Sequence, residues 1–493
     1  MSVLLRGRAS KLFPVPDVVR SMGIRRVAAV AVLALGIGVW IGSSSGAVTS
    51  GHDWPRFGWS ASRTSAPPFA TGIAAANVRS LRRQEVQLDG TVDSSPIYLH
   101  AVTVGGGTHD VFFVTTTYGK TIAVDAASGS VLWRFTPPGY ASWAGSPQIT
   151  SATPVADPSR RFIYAASPGG VIYKLSVADG RAVWGRSITR LPSREKIAAA
   201  LNYFGGKLIA TTGGYIGDAP PYQGHVAIIS PASGRLLHVW NSLCSNRRGL
   251  ISPAGCPASD SAIWGRAGAV VDESNGQLLV ATGNAPWNGR TNWGDAVIRL
   301  DPNATRILGN YTPSNTEELN AGDVDLGSTS PVLLGSGYIA QGGKDGKIRL
   351  LSARRMRGTR PHRGGDLDVV STPSGTDLFT APAVLHTKSG TWLFAGDNGG
   401  TAAYRLRNGH LQTVWRNSTG GTSPVVADGL LWVYDPGGGL SVYTPFNGHL
   451  VTRLDAPGGH WNSPIVVDGR VALPVGNAND HRTSGALEIW RLP

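Results

Sequence analysis

The sequence predicts an all-β fold: eight four-stranded antiparallel sheets arranged radially, an eight-bladed β-propeller closed by strands from both termini. Three observations predict it. A strand–turn–strand unit recurs to the C-terminus, a small-residue-plus-Pro step marks where most repeats begin, and the last repeat lacks a strand that the first strand-forming stretch can supply.

In chain order, Arg25-Arg26 precede an apolar run from Val27 to Gly42, and small residues Ser43 to Ala47 follow. This is the pattern of a signal peptide over residues 1–47, with cleavage after Ala47. The chain is therefore expected to be exported, to the periplasm, the extracellular space or the cell surface. An apolar run of 16 residues is shorter than the roughly 20 a spanning helix prefers, and if left uncleaved it would serve as an N-terminal membrane anchor. Residues 48–80 read as a connector. It opens with Asp53-Trp54-Pro55-Arg56-Phe57-Gly58 and continues rich in Ser, Ala and Pro. Residues 81–493 form the propeller, and Leu81 to Leu88 offers its first strand.

The repeat is clearest from Tyr118 to Thr136, YGKTIAVDAASGSVLWRFT. Thr121 to Val124 alternates faces, Asp125 to Gly129 carries turn chemistry, and Val131 to Phe135 is β-branched and aromatic. Copies run from Val171 to Trp184, His225 to Trp240, Thr401 to Trp415 and Leu440 to Leu454. Repeat starts fall at Ser94, Ala152, Thr329, Thr380, Thr422 and Asn462, with two more lacking the Pro near Leu201 and Ala269. Intervals of about 40 to 70 residues suit four short strands each. Ala486 to Leu492 reads as an inner or third strand, leaving Leu81 to Leu88 to complete that sheet. Trp133, Trp184, Trp240 and Trp415 follow the turn glycine and are expected to pack on the neighbouring sheet. Trp264 stands outside that pattern and suits stacking on a ligand.

The formal charge is +14, of which the leader carries +5; the remainder is diffuse, with no basic run interleaved with aromatics. Nucleic-acid binding is thereby disfavoured, and a loose attraction to anionic surface polymers fits better. Cys244 and Cys256, twelve positions apart, are expected to form a disulfide in an oxidising compartment.

The repeat resembles that of the pyrroloquinoline quinone (PQQ) family, the quinoprotein alcohol dehydrogenase-like eight-bladed β-propellers. Asp272 to Gly289 is similar to the segment whose Asn ligates the metal, here Asn284. Asn320 to Leu334 resembles the segment of the catalytic base, which implies Asp323 as base and metal neighbour and Asp325 as a further metal ligand. Gly342 to Ala353 resembles the segment of the quinone-side cation, Lys344, and Trp264 would lie at the cofactor. Where the family's main metal carboxylate follows a small-Gly-Gly step, this chain has Tyr215, with Asp218 three residues on. The resemblance implies PQQ and Ca²⁺ as cofactors and a dehydrogenase oxidising a small-molecule alcohol or sugar, with a separate electron acceptor. The same repeat also builds non-catalytic scaffolds, so the alternative is a propeller that binds a protein or cell-envelope polymer.

Overall fold

The computed structural model describes residues 51–493, so the predicted signal peptide lies outside the described residues. Eight four-stranded sheets follow one another along the chain. The first comprises Ile97–Val104, Gly107–Thr115, Thr121–Asp125 and Val131–Phe135, every neighbouring pair antiparallel. First strands of the other seven begin at Val155, Asn202, Val270, Val332, Ala383, Val425 and Ile465, each just after an expected repeat start. Gly485–Arg491 is the third strand of the last sheet, and Arg82–Leu88 is its fourth, paired in register from Arg82 with Arg491 to Leu88 with Gly485.

The small-Pro step has a physical reason. Proline brings no N–H to the ladder and so sits just ahead of a strand. The Ser and Thr beside it link adjacent blades: Ser95 N–H donates to Thr153 Oγ1 (3.1 Å), Thr329 Oγ1 to Thr380 O (2.7 Å) and Ala381 N–H to Ser423 Oγ (2.9 Å).

All five residues of Thr121–Asp125 are buried, so both faces on which its side chains alternate are covered. A blade is flanked by other blades on both faces, so its middle strands have no solvent face. The recurring tryptophan supplies the outer dock. Trp133 Nε1 donates to Val177 O of the next blade (2.9 Å), and its ring covers Gly180, where a Cβ would fall 2.5 Å from the ring. Trp184 does the same with Pro231 O (3.2 Å) and Gly234, and Trp415 with Pro445 O (2.8 Å) and Gly448. At the seam between last and first blades the outer strand, Arg82–Leu88, carries no tryptophan. Gln84 Nε2 donates to Ser128 O (2.8 Å) in its place, and Gln84 and Val86 cover Gly129.

The connector has its own task. Pro55 O accepts from Ala156 N–H, Ala61 O from Val271 N–H, Thr64 O from Val384 N–H, Ser65 O from Val426 N–H and Thr71 O from Gly469 N–H. Trp54 forms a bridge with Tyr98, and buried Arg63 donates to Phe57 O (2.7 Å) and Leu201 O (2.9 Å). One segment thus ties itself to the first strands of most blades, and in the last blade to the turn that follows the first strand. It acts as a strap across one end of the ring.

Candidate functional site

The opposite end of the ring receives the segments that approach each first strand and those that leave each second strand. Approach segments contribute Asp93, Trp264, Arg266, Asp323, Asp325, Phe379, His460 and Trp461, and departing segments contribute Tyr215, Asp218 and Lys344. Together they line a cavity of about 320 Å³.

One wall is aromatic. Trp264, Phe379 and Trp461 meet pairwise with ring centroids 5.2 to 5.9 Å apart, and His460 stacks on Trp461 at 4.1 Å. Such faces offer a flat apolar surface to a planar ligand.

Lys344 dominates the second wall. Its Nζ lies 2.5 Å from Asp325 Oδ2, donates to Asp323 O (3.1 Å), stands 3.4 Å from Asp323 Oδ1 and sits 5.9 Å from the Trp264 ring centroid. Asp325 Oδ1 accepts the backbone N–H of Asn284 (2.8 Å). Burial pushes the Asp325 carboxyl up against the pull of Lys344, while for Lys344 the two aspartates outweigh burial and hold the ammonium above its ordinary range. Behind this pair, fully buried Asp295 accepts Leu326 N–H at Oδ1 (2.9 Å), and its Oδ2 has no partner among the described residues. Burial pushes its carboxyl up to about 8.

The third part is built around Asp93. This buried carboxylate accepts from His460 Nδ1 (2.6 Å), Ala478 N–H (3.1 Å) and Trp461 N–H (3.2 Å). Burial opposes its charge, yet His460, Arg266 and the backbone donor lower it to about 2. Arg266 Nη2 donates to the Asp93 carbonyl (2.6 Å) and lies over the Trp461 ring at 5.8 Å.

Of the residues singled out in the sequence, Trp264, Asp323, Asp325 and Lys344 line the same cavity. Asn284 is not among the lining residues and reaches Asp325 through its backbone. Asp325 is already engaged by an ammonium and an N–H, and no cluster of three His, Cys, Asp or Glu suited to a metal exists among the described residues. As arranged, Asn284, Asp323 and Asp325 do not fit a calcium ion. Tyr215 forms part of the cavity wall, its hydroxyl donating to Pro192 O (2.9 Å), while Asp218 accepts the Tyr222 hydroxyl (2.7 Å). Cys244 and Cys256 are joined by a disulfide.

The sequence reading missed Asp93, Arg266, His460, Trp461 and Asp295. For Asp93, His460 and Trp461 the signal was positional. Asp93, Phe379 and His460-Trp461 all immediately precede a small-Pro step, in SSP, TAP and NSP, and every such approach segment reaches this end of the ring.

A family model described as outer membrane protein assembly factor BamB matches residues 74–303. Quinohemoprotein alcohol dehydrogenase ADH IIB of Pseudomonas putida is 28% identical over 153 residues, which cover 29% of this chain and 20% of that protein. The match therefore spans a fifth of that relative's length. Among solved structures, the quinohemoprotein alcohol dehydrogenase of Comamonas testosteroni superposes with a TM-score of 0.66 at 14% identity, over 89% of this chain and 80% of that one. A europium-containing methanol dehydrogenase gives 0.64 at 13% identity, over 89% and 98%. BamB of Moraxella catarrhalis gives 0.53 at 13% identity, over 83% and 97%. Repeat and ring make this chain an eight-bladed β-propeller, similar in sequence and fold to PQQ-repeat propellers of the quinoprotein alcohol dehydrogenase-like kind.

Proposed function

We propose that the protein is exported and binds a planar quinone of the PQQ class in this cavity, where a small alcohol or sugar is oxidised. The observation that carries the reading is the convergence, in one cavity, of the aromatic wall of Trp264, Phe379 and Trp461 with the cations Lys344 and Arg266. Flat apolar faces with cations beside them suit a flat polyanionic ring, and orphaned Arg266 Nε is a buried donor available to such a ligand. When bound, a quinone supplies a two-electron acceptor for hydride. The residues of the chain do the rest. Trp264, Phe379 and Trp461 exclude water from the ring face, and the ammonium of Lys344 offsets negative charge that develops beside it. Asp323, its side chain 59% exposed, accepts the substrate hydroxyl proton on its carboxylate.

A second reading rests on the Lys344–Asp325 pair and on Tyr215. Both fill positions with groups that pair internally, which suits a propeller that binds a protein or an envelope polymer through its loops.

Titration of the protein with PQQ, followed by tryptophan fluorescence and calorimetry with and without Ca²⁺, separates the two. Saturable quenching that weakens in Lys344→Met and Trp264→Ala supports the cofactor site; loss of alcohol-dependent dye reduction in Asp323→Ala, with quenching retained, supports the base. Neither heat nor quenching leaves the binding propeller.

A further inference from the structure

Lys196 also lines the cavity, and the mechanism above does not use it. Its main chain is fixed from both sides. Lys196 exchanges backbone hydrogen bonds with Gly213 (2.7 and 2.9 Å), and the next two carbonyls, of Ile197 and Ala198, accept from Thr150 Oγ1 (2.7 Å) and Ser151 Oγ (3.0 Å). The preceding Glu195 is fully buried and held by His225 Nε2 (3.0 Å) and Gln223 N–H (3.1 Å). The side chain is aimed by a rigid segment, yet its Nζ has neither a hydrogen bond nor an ion pair among the described residues.

The charges around it explain why. Asp93, the nearby carboxylate, spends its oxygens on His460, Trp461 and Ala478, and Arg266 is a like charge. Lys344 is occupied by Asp323 and Asp325, and Asp218 by Tyr222. Burial lowers the Lys196 ammonium, Asp93 partly restores it, and the balance is a pKa of about 8. About a tenth of the amine is then neutral at pH 7, against well under a thousandth for an ordinary lysine. His460 shares the cavity, with Nδ1 held by Asp93 and no partner at Nε2 among the described residues.

We propose that Lys196 is a covalent capture site for flat aldehydes and ketones: its Nζ forms a reversible imine with a carbonyl compound that stacks on the aromatic wall. The Nζ lone pair makes the C–N bond while the carbonyl π pair moves to oxygen. Both Nζ protons finish on that oxygen, carried by His460 Nε2, and it leaves as water. No electrons are exchanged with any other reactant. Neutral lysines in apolar, water-poor pockets are suited to this chemistry. The inference rests on the cavity and stands apart from the quinone reading.

The test uses the full chain, 4-formylbenzoate as probe, and borohydride to reduce any imine, followed by peptide mapping by mass spectrometry. Lys196 is expected to label at least about tenfold faster than the exposed Lys347 and Lys388 in the same molecule. Trp264→Ala slows Lys196 labelling and leaves the other two unchanged, and Lys196→Arg removes the cavity label. Equal labelling of all three lysines, or none at Lys196, overturns the proposal. That comparison needs no variant to fold.

Discussion

Replacing Asp295 with Asn isolates the cost of a buried carboxyl. Asp295 is fully buried, has one oxygen without a partner among the described residues, and has its carboxyl pushed up to about 8 from an ordinary 3.8. In the unfolded chain it ionises near pH 4, whereas in the fold it keeps its proton to about pH 8. The folded state therefore binds more protons over that window, and stability falls as pH rises through it. Each unit of pKa difference is worth about 1.4 kcal/mol, so the four units set a ceiling of roughly 5–6 kcal/mol between pH 4 and 8. Asn has the shape of the neutral acid and still accepts Leu326 N–H at its carbonyl oxygen. Asp295→Asn should match the wild type near pH 4 and exceed it progressively toward pH 8. Urea unfolding at pH 4.5, 6, 7 and 8, read by tryptophan fluorescence, measures the difference. Parallel curves for the two proteins across that range would refute the reasoning, because they would mean that Asp295 ionises in the fold as it does in the unfolded chain.

Other expectations follow from the same contacts. Lys344→Met strands Asp325 beside a single N–H, and loss of one partner of such a pair should cost about 3–5 kcal/mol, less at low pH where Asp325 is protonated; pH-resolved thermal melts report it. Gly180→Ala combines a positive φ of 71° with a Cβ 2.5 Å from the Trp133 ring, so about 2–4 kcal/mol should be lost, whereas Ala at Gly205, with φ 55° and open space around it, costs about 1; denaturant midpoints compare them. Arg63→Met leaves the Phe57 and Leu201 carbonyls without their donor and should cost about 2–4 kcal/mol, with early protease cleavage inside the strap.

The ring was legible because its repeat is written in local chemistry. Proline ahead of a strand, hydroxyls that link neighbouring steps, and a tryptophan over the next blade's turn glycine all leave fixed spacings in the sequence. Even the strand exchange between termini could be read, since one sheet was a strand short. The site was legible only in part. Lys344, Trp264, Asp323 and Asp325 do converge, but the Lys344–Asp325 pairing depends on which way two side chains turn between blades, and spacing carries no such information. Asp93 and His460 lie 367 residues apart and meet only when the ring closes. Asp295, one aspartate before an apolar strand, looks in the sequence like a turn residue. Its burial is a product of tertiary packing alone.

The strap bears on the order of assembly. It is among the first parts of the fold to be synthesised, yet its hydrogen-bond partners are spread through almost every later blade, ending with His52 N–H on Asp468, 416 residues away. Contacts of such separation close slowly, because the entropy of the whole intervening chain is spent before they form. A chain shortened by its last blade would leave Arg82–Leu88 without its partner strand and would remove the final seat of the strap. The last knot of the strap, His52 on Asp468 and Thr71 on Gly469, is therefore tied only after the final blade has formed.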